Sequence, residues 1–69
     1  MFEIRFNDGD EVRNIETYEM ALACIRGVCP GVVFGKSSRP YCTLCWENEQ
    51  DAESNDESLL VAVIKVVPL

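Results

Sequence analysis

The segment from Leu59 to Val67, L-L-V-A-V-I-K-V-V, constrains the fold of this chain more than any other part of the sequence. Most of its residues are β-branched, which favours an extended strand. Apolar side chains fall on both faces instead of alternating with polar ones, so both faces of the strand must be covered. The segment therefore predicts a central strand of a sheet, ended by Pro68.

The preceding segments predict the other strands of that sheet. Apolar and charged side chains alternate over residues 2–6, as in a half-buried strand. The turn-forming run N-D-G-D that begins at Asn7 predicts a hairpin that returns along residues 11–15. Two further short strands are predicted at 32–34 and 41–46, so the sheet has three to five strands in all.

One helix is predicted between the hairpin and the later strands. Thr17 is a good N-cap, and Glu19 in the first turn complements the helix dipole. The helix should stop near Gly27, before Pro30. Its apolar face is formed by residues at helical spacing, Tyr18, Ala21, Leu22, Ile25 and Val28.

The length and the order of these elements predict one domain, 1–69. A chain of 69 residues can bury only about 60% of its unfolded surface, so a single small core is expected. We predict an α+β fold, a small antiparallel or mixed sheet of three to five strands with one helix packed on one face.

The net charge of −6 is concentrated in one segment. Residues 47–58 contain six acids and no base, whereas the rest of the chain contains six of each, including the basic loop 35–40. Direct binding of nucleic acid or of an anionic membrane is not expected, because phosphate contacts require Lys and Arg. A protein partner with a basic groove is expected instead.

Three hypotheses account for the acidic segment. The first is a solvated loop that keeps the chain soluble. The second is a calcium loop, although Asp56 stands where an EF-hand needs Gly and Ala62 where it needs Glu. The third hypothesis is a docking surface, in which Trp46 serves either as a core residue or as an interface anchor. The predicted partner-binding residues are Glu47, Glu49, Asp51, Glu53, Asp56 and Glu57, with Asp8, Asp10 and Glu11 as a second patch.

The cysteines are spaced C-x4-C-x12-C-x2-C and allow a four-thiolate zinc site formed by Cys24, Cys29, Cys42 and Cys45. The spacing within C-T-L-C suits a metal knuckle, but the motif lies in a strand-like run, where residues three apart point to opposite faces. Disulfides and a redox role are alternatives. The preferred interpretation is four reduced thiols that act as small apolar side chains, with no cofactor.

Catalysis is not expected. The chain contains no His and no phosphate-binding Gly pattern, and its serines lie in predicted loops without a visible base.

The N-terminus lacks the features of a signal peptide, and no apolar run is long enough to span a membrane, so a cytoplasmic protein is expected. It is expected to be a monomer or a homodimer. An open sheet edge could mediate a dimer that covers the apolar strand 59–67.

The stretch W-E-N-E-Q-D-A-E-S-N-D, from Trp46 to Asp56, resembles a segment of small uncharacterised bacterial and phage proteins in which a hairpin and a helix come first. In size and charge the chain is also similar to phage anti-CRISPR and anti-restriction proteins that mimic nucleic acid. This similarity implies a non-catalytic inhibitor or modulator that docks on a nucleic-acid-binding surface of its partner.

Overall fold

A computed structural model, which describes residues 1–35 and 42–68, shows a five-stranded antiparallel sheet with one main helix and a second, small helix. The fold is α+β, as predicted. The elements in chain order are β1 (Phe2–Phe6), β2 (Glu11–Ile15), α1 (Tyr18–Val28), β3 (Val33–Gly35), β4 (Cys42–Trp46), α2 (Glu49–Ser54), a 3-10 helix (Glu57–Leu59) and β5 (Leu60–Val66).

Strand β5 lies at the centre of the sheet, whose order is β2-β1-β5-β4-β3. It pairs with β1 from Phe2 opposite Val66 to Phe6 opposite Ala62. On its other side it pairs with β4. The prediction of a central strand is confirmed, and β5 has no open edge. A dimer through an edge of this sheet would have to use β2 or β3.

Helix α1 begins at the predicted N-cap, where the Thr17 hydroxyl accepts a hydrogen bond from the amide of Met20. Glu19 lies in the first turn and Arg26 in the last, so both complement the helix dipole. The helix ends at Val28, and the amide of the C-cap residue Cys29 donates to the carbonyl of Ile25. Pro30 cannot continue the helical hydrogen bonds.

The core lies between α1 and one face of the sheet. Its buried members are Ile4, Ile15, Ala21, Ile25, Cys45, Ala62 and Ile64. The prediction for Val28 is wrong, because this side chain is 65% exposed at the end of α1. The remaining predicted face of the helix is buried or half-buried.

The opposite face of the sheet carries charged side chains along β1 and β2. Because side chains alternate along a strand, Glu3 and Arg5 point away from α1 when Ile4 points towards it. Arg5 approaches Glu3 at 3.8 Å and Glu11 at 3.2 Å, and Glu11 also pairs with Arg13 at 2.7 Å. These surface ion pairs each contribute little stability, about 0–1 kcal/mol.

Strand β2 contains a bulge. Ile4 pairs with Val12 and Phe2 with Ile15, so β2 carries one more residue than β1 between these pairs. Within the extra stretch, Asn14 has a φ of 62°. Asn tolerates this left-handed conformation better than most residues, and bulges of this kind protect an edge strand from pairing with another chain.

The predicted basic loop 35–40 begins at Gly35, the last residue of β3, and continues outside the described residues together with Tyr41. Within the described part of the chain, no helix is long and apolar enough to cross a lipid bilayer.

Candidate protein-interaction site

The acidic segment contains the short helix α2 and a 3-10 helix, so it is not a loop as the first of the three hypotheses assumed, while its role in solubility stays a hypothesis. The side chain of Asn48 caps α2 by accepting a hydrogen bond of 2.8 Å from the amide of Asp51. Asn55 ends the helix in the left-handed conformation, with a φ of 54°. Glu49 and Asp51 in the first turn complement the helix dipole. Part of the acidic composition therefore supports local helix formation.

Asp56 caps the following 3-10 helix. Its Oδ1 atom accepts hydrogen bonds from the Ser58 hydroxyl at 2.8 Å and from the Ser58 amide at 3.0 Å. Both bonds favour the ionised form, the hydroxyl bond more than the amide bond, so the pKa of Asp56 is lowered from its ordinary value. This carboxylate has a structural role in addition to its charge.

The fold brings the two predicted acidic groups to the same end of the sheet. The end of β1 lies beside the start of β5, and the amide of Asn7 donates to the carbonyl of Val61 at 3.0 Å. Strand β4 also ends there, since Trp46 pairs with Leu60. The nine predicted acids lie on the segments that leave or enter the strands at this end, which we call the acidic end: Asp8, Asp10, Glu11, Glu47, Glu49, Asp51, Glu53, Asp56 and Glu57.

Eight of the nine acids divide into two sets by what their side chains contact, and the ninth, Asp51, is half-buried. Glu11 is paired with Arg13 and Arg5, which lower the pKa of Glu11, the hydrogen bond from Arg13 most strongly. Asp8 accepts a hydrogen bond from the amide of Asp10 at 3.0 Å, and Asp56 acts as a cap. Within residues 1–35 and 42–68, the ion pairs involve no acid other than Glu3 and Glu11. The exposed acids outside these roles are Asp10, Glu47, Glu49, Glu53 and Glu57.

Leu59 is a feature of this end that the sequence did not reveal. The residue was predicted as the first position of the central strand, but it closes the 3-10 helix and is 43% exposed. The signal was the run D-E-S before it, in which Asp56 is a suitable cap for a short helical turn. An apolar side chain is thus exposed among carboxylates.

Trp46 is buried, but it lies outside the cluster between α1 and the sheet. Its side chain is 1% exposed, and it lies against Gly35 of the neighbouring strand. Of the two predicted roles for this residue, burial supports packing and leaves little surface for an interface anchor. The partner of Trp46 in this packing, Gly35, was not singled out from the sequence.

The four cysteines are reduced and lie in different environments. Cys45 is buried in the core beneath α1, and burial raises the pKa of its thiol to about 12. Cys42 is half-buried and, three residues earlier on β4, lies on the opposite face. Among the described residues, which include all four cysteines, no group of three or more His, Cys, Asp or Glu side chains is arranged to hold a metal ion. Four-cysteine zinc binding would require Cys24, Cys29, Cys42 and Cys45 to move together.

Comparison with known proteins found no matching family model, no matching curated protein and no matching solved structure.

Proposed function

We propose that this protein is a non-catalytic interaction module whose acidic end docks on a basic surface of a protein partner. The observation that carries the proposal is the convergence of residues 8–11 and 47–57 at one end of the sheet. Neither segment contains a Lys or Arg. Five of the exposed acids there are available for contacts across an interface, namely Asp10, Glu47, Glu49, Glu53 and Glu57.

The physical basis is long-range attraction. Like charges concentrated on one surface produce a field that orients an oppositely charged partner and accelerates association, in a manner that salt weakens. A protein surface rich in Lys and Arg is often one that binds nucleic acid. The specific form that we propose is an inhibitor or modulator that occupies such a surface in place of nucleic acid.

A matched pair of double variants tests the proposal. Glu47→Gln with Glu49→Gln neutralises two acids at the acidic end. Glu16→Gln with Glu19→Gln removes the same charge elsewhere, from two positions beside the N-cap of α1. The probe is an oligolysine peptide with a central serine, titrated over a series of salt concentrations.

We expect the first variant to bind the peptide more weakly and with a smaller salt dependence than the second. Each ion pair lost at an exposed interface should reduce affinity by roughly twofold to fivefold. Equal effects of the two variants, or binding that does not respond to salt, would remove the proposal. With a natural partner, displacement of bound nucleic acid by this protein tests the inhibitory form.

A further inference from the structure

A groove lies at the acidic end, between the β1–β2 turn and the 3-10 helix. Its volume is about 240 Å³, and its lining includes four apolar residues, Phe6, Leu60, Ala62 and Val63. Asn7 from the β1–β2 turn and Glu57 and Ser58 from the 3-10 helix form its rim. The volume is below the range of roughly 300–1,000 Å³ that is usual for small-molecule sites. The groove is therefore of a size for one side chain of a partner.

The position of the groove is fixed by main-chain contacts. The hydrogen bond from the Asn7 amide to the Val61 carbonyl holds the β1–β2 turn against the start of β5. The amide of Leu59 donates to the carbonyl of Asp56 at 2.9 Å, which closes the 3-10 turn that leads directly into β5 on the other side. An apolar site with ordered walls can accept a side chain without first paying a large cost in conformational entropy.

The charges around the groove favour a cationic occupant. Arg5 also lines it, but this guanidinium lies 3.2 Å from Glu11 and 3.8 Å from Glu3. Glu57 is exposed at the rim, and Asp10 is exposed in the adjoining turn. A lysine side chain in the groove would cover its apolar lining only with the methylene stem. An uncharged apolar peptide, in turn, would make no contact with the carboxylates.

We propose that the groove receives one leucine- or methionine-sized side chain of a basic segment of the partner protein, with flanking Lys or Arg residues contacting the carboxylates. The inference rests on the proposed function and adds an apolar anchor to it. Charged contacts at a rim set the association rate and its salt dependence, while a buried apolar contact at the centre slows dissociation.

Two peptides of equal charge test the inference. One is an oligolysine peptide with a central leucine, and the other carries serine at that position. Burial of one aliphatic side chain should make the leucine peptide bind about tenfold more tightly. Asn7→Tyr places a ring over the groove without changing charge, and it should reduce the difference between the peptides to about twofold. Gln50→Tyr, at an exposed position of α2 outside the groove, is the control and should retain the full difference.

A second variant tests the groove without altering the β1–β2 turn, which Asn7→Tyr could disrupt. Val63→Thr keeps the shape of a groove wall and makes it polar, so it should also reduce the preference for leucine, with the serine peptide unaffected. Equal affinity of the two peptides for the unaltered protein would contradict binding of a side chain in the groove but leave the proposed function intact. Binding of neither peptide would remove both. If Asn7→Tyr and Gln50→Tyr showed the same ratio of affinities for the two peptides, binding of a side chain in the groove would also be contradicted.

Discussion

The indole of Trp46 lies directly against the backbone of Gly35: a Cβ atom at position 35 would lie 2.7 Å from Nε1 and 3.2 Å from Cδ1. Real Cβ atoms do not approach other heavy atoms so closely, so a side chain at this position requires a shift of the buried ring. Gly35 is therefore required by the close approach of a neighbouring strand's side chain.

Gly35→Ala should destabilise the protein by about 1–3 kcal/mol, the usual cost of overpacking a filled site. Gly27→Ala is the control, because a Cβ at position 27 of α1 would have no heavy atom within 4 Å. Alanine forms helices better than glycine, so the control should stabilise by about 0.5–1 kcal/mol. Urea denaturation measures both, and a neutral Gly35→Ala would contradict the packing described.

The hydroxyls of Tyr18 and Thr43 are joined by a hydrogen bond of 2.8 Å between α1 and β4. Tyr18→Phe should cost about 0.5–1.5 kcal/mol, since it removes the bond but keeps the ring that packs against Phe2. Thr43→Val should cost a similar amount. The double variant should cost less than the sum of the two, because each single change already breaks the same bond. Strict additivity of the unfolding free energies would show that the bond does not couple the helix to the sheet.

Burial of Cys45 should make stability fall at high pH. The folded thiol keeps its proton to about pH 12, while the unfolded thiol ionises at its ordinary pKa of 9.0. The unfolded state therefore releases a proton in this range that the folded state retains, so the unfolding free energy decreases as pH rises above about 9. Comparison of urea midpoints of the unaltered protein and Cys45→Ala, from about pH 8 to about pH 11, should show a steeper loss in the unaltered protein. Parallel pH profiles would contradict the burial of this thiol.

The hydrogen bonds from Ser58 should be visible in the titration of Asp56. They hold the pKa of Asp56 below its ordinary value of 3.8. The resulting contribution to stability is present above the unfolded pKa and is lost as pH falls through the lower folded value. Ser58→Ala removes the hydroxyl donor and leaves the amide, so the pKa of Asp56 should rise part of the way towards its ordinary value. Carboxyl NMR shifts measure this, and an unchanged midpoint would exclude the hydroxyl as the main cause.

The bulge in β2 should favour glycine at position 14. Asn14 has a φ of 62°, where a residue with a Cβ is strained. Asn14→Ala should destabilise by about 1 kcal/mol, because alanine lacks the tolerance of Asn for this region, while Asn14→Gly should be neutral or stabilising. Thermal unfolding of the two variants provides the measurement, and a more stable alanine variant would be inconsistent with the bulge.

The sequence predicted the strands and α1 because their signals are local. Alternation in residues 2–6, the turn chemistry after Phe6 and the Thr17 cap all act within a few residues. The central position of β5 followed from apolar residues on both of its faces. The exposure of Val28 could not be predicted, because helical spacing does not show how far the sheet extends beneath the last turn.

The acidic segment shows that amino-acid composition alone did not predict its secondary structure. Six acids in 47–58 suggested a loop, yet Asn48 and Asn55 are suitable caps for a helix of six residues. The convergence of the acids with the β1–β2 turn depends on strand order, which the sequence does not encode locally. The groove between them depends on three elements at once and could not be predicted for the same reason.

The central position of β5 has a consequence for how the protein folds. The β1–β2 hairpin and the β3–β4 pair lie on opposite sides of this strand, and neither reaches the other without it. Because β5 follows the other four strands in the chain, both pairs have unpaired edges until it is inserted. Folding should therefore be concerted, and its slow step should be the insertion of one strand between two neighbours that are already formed.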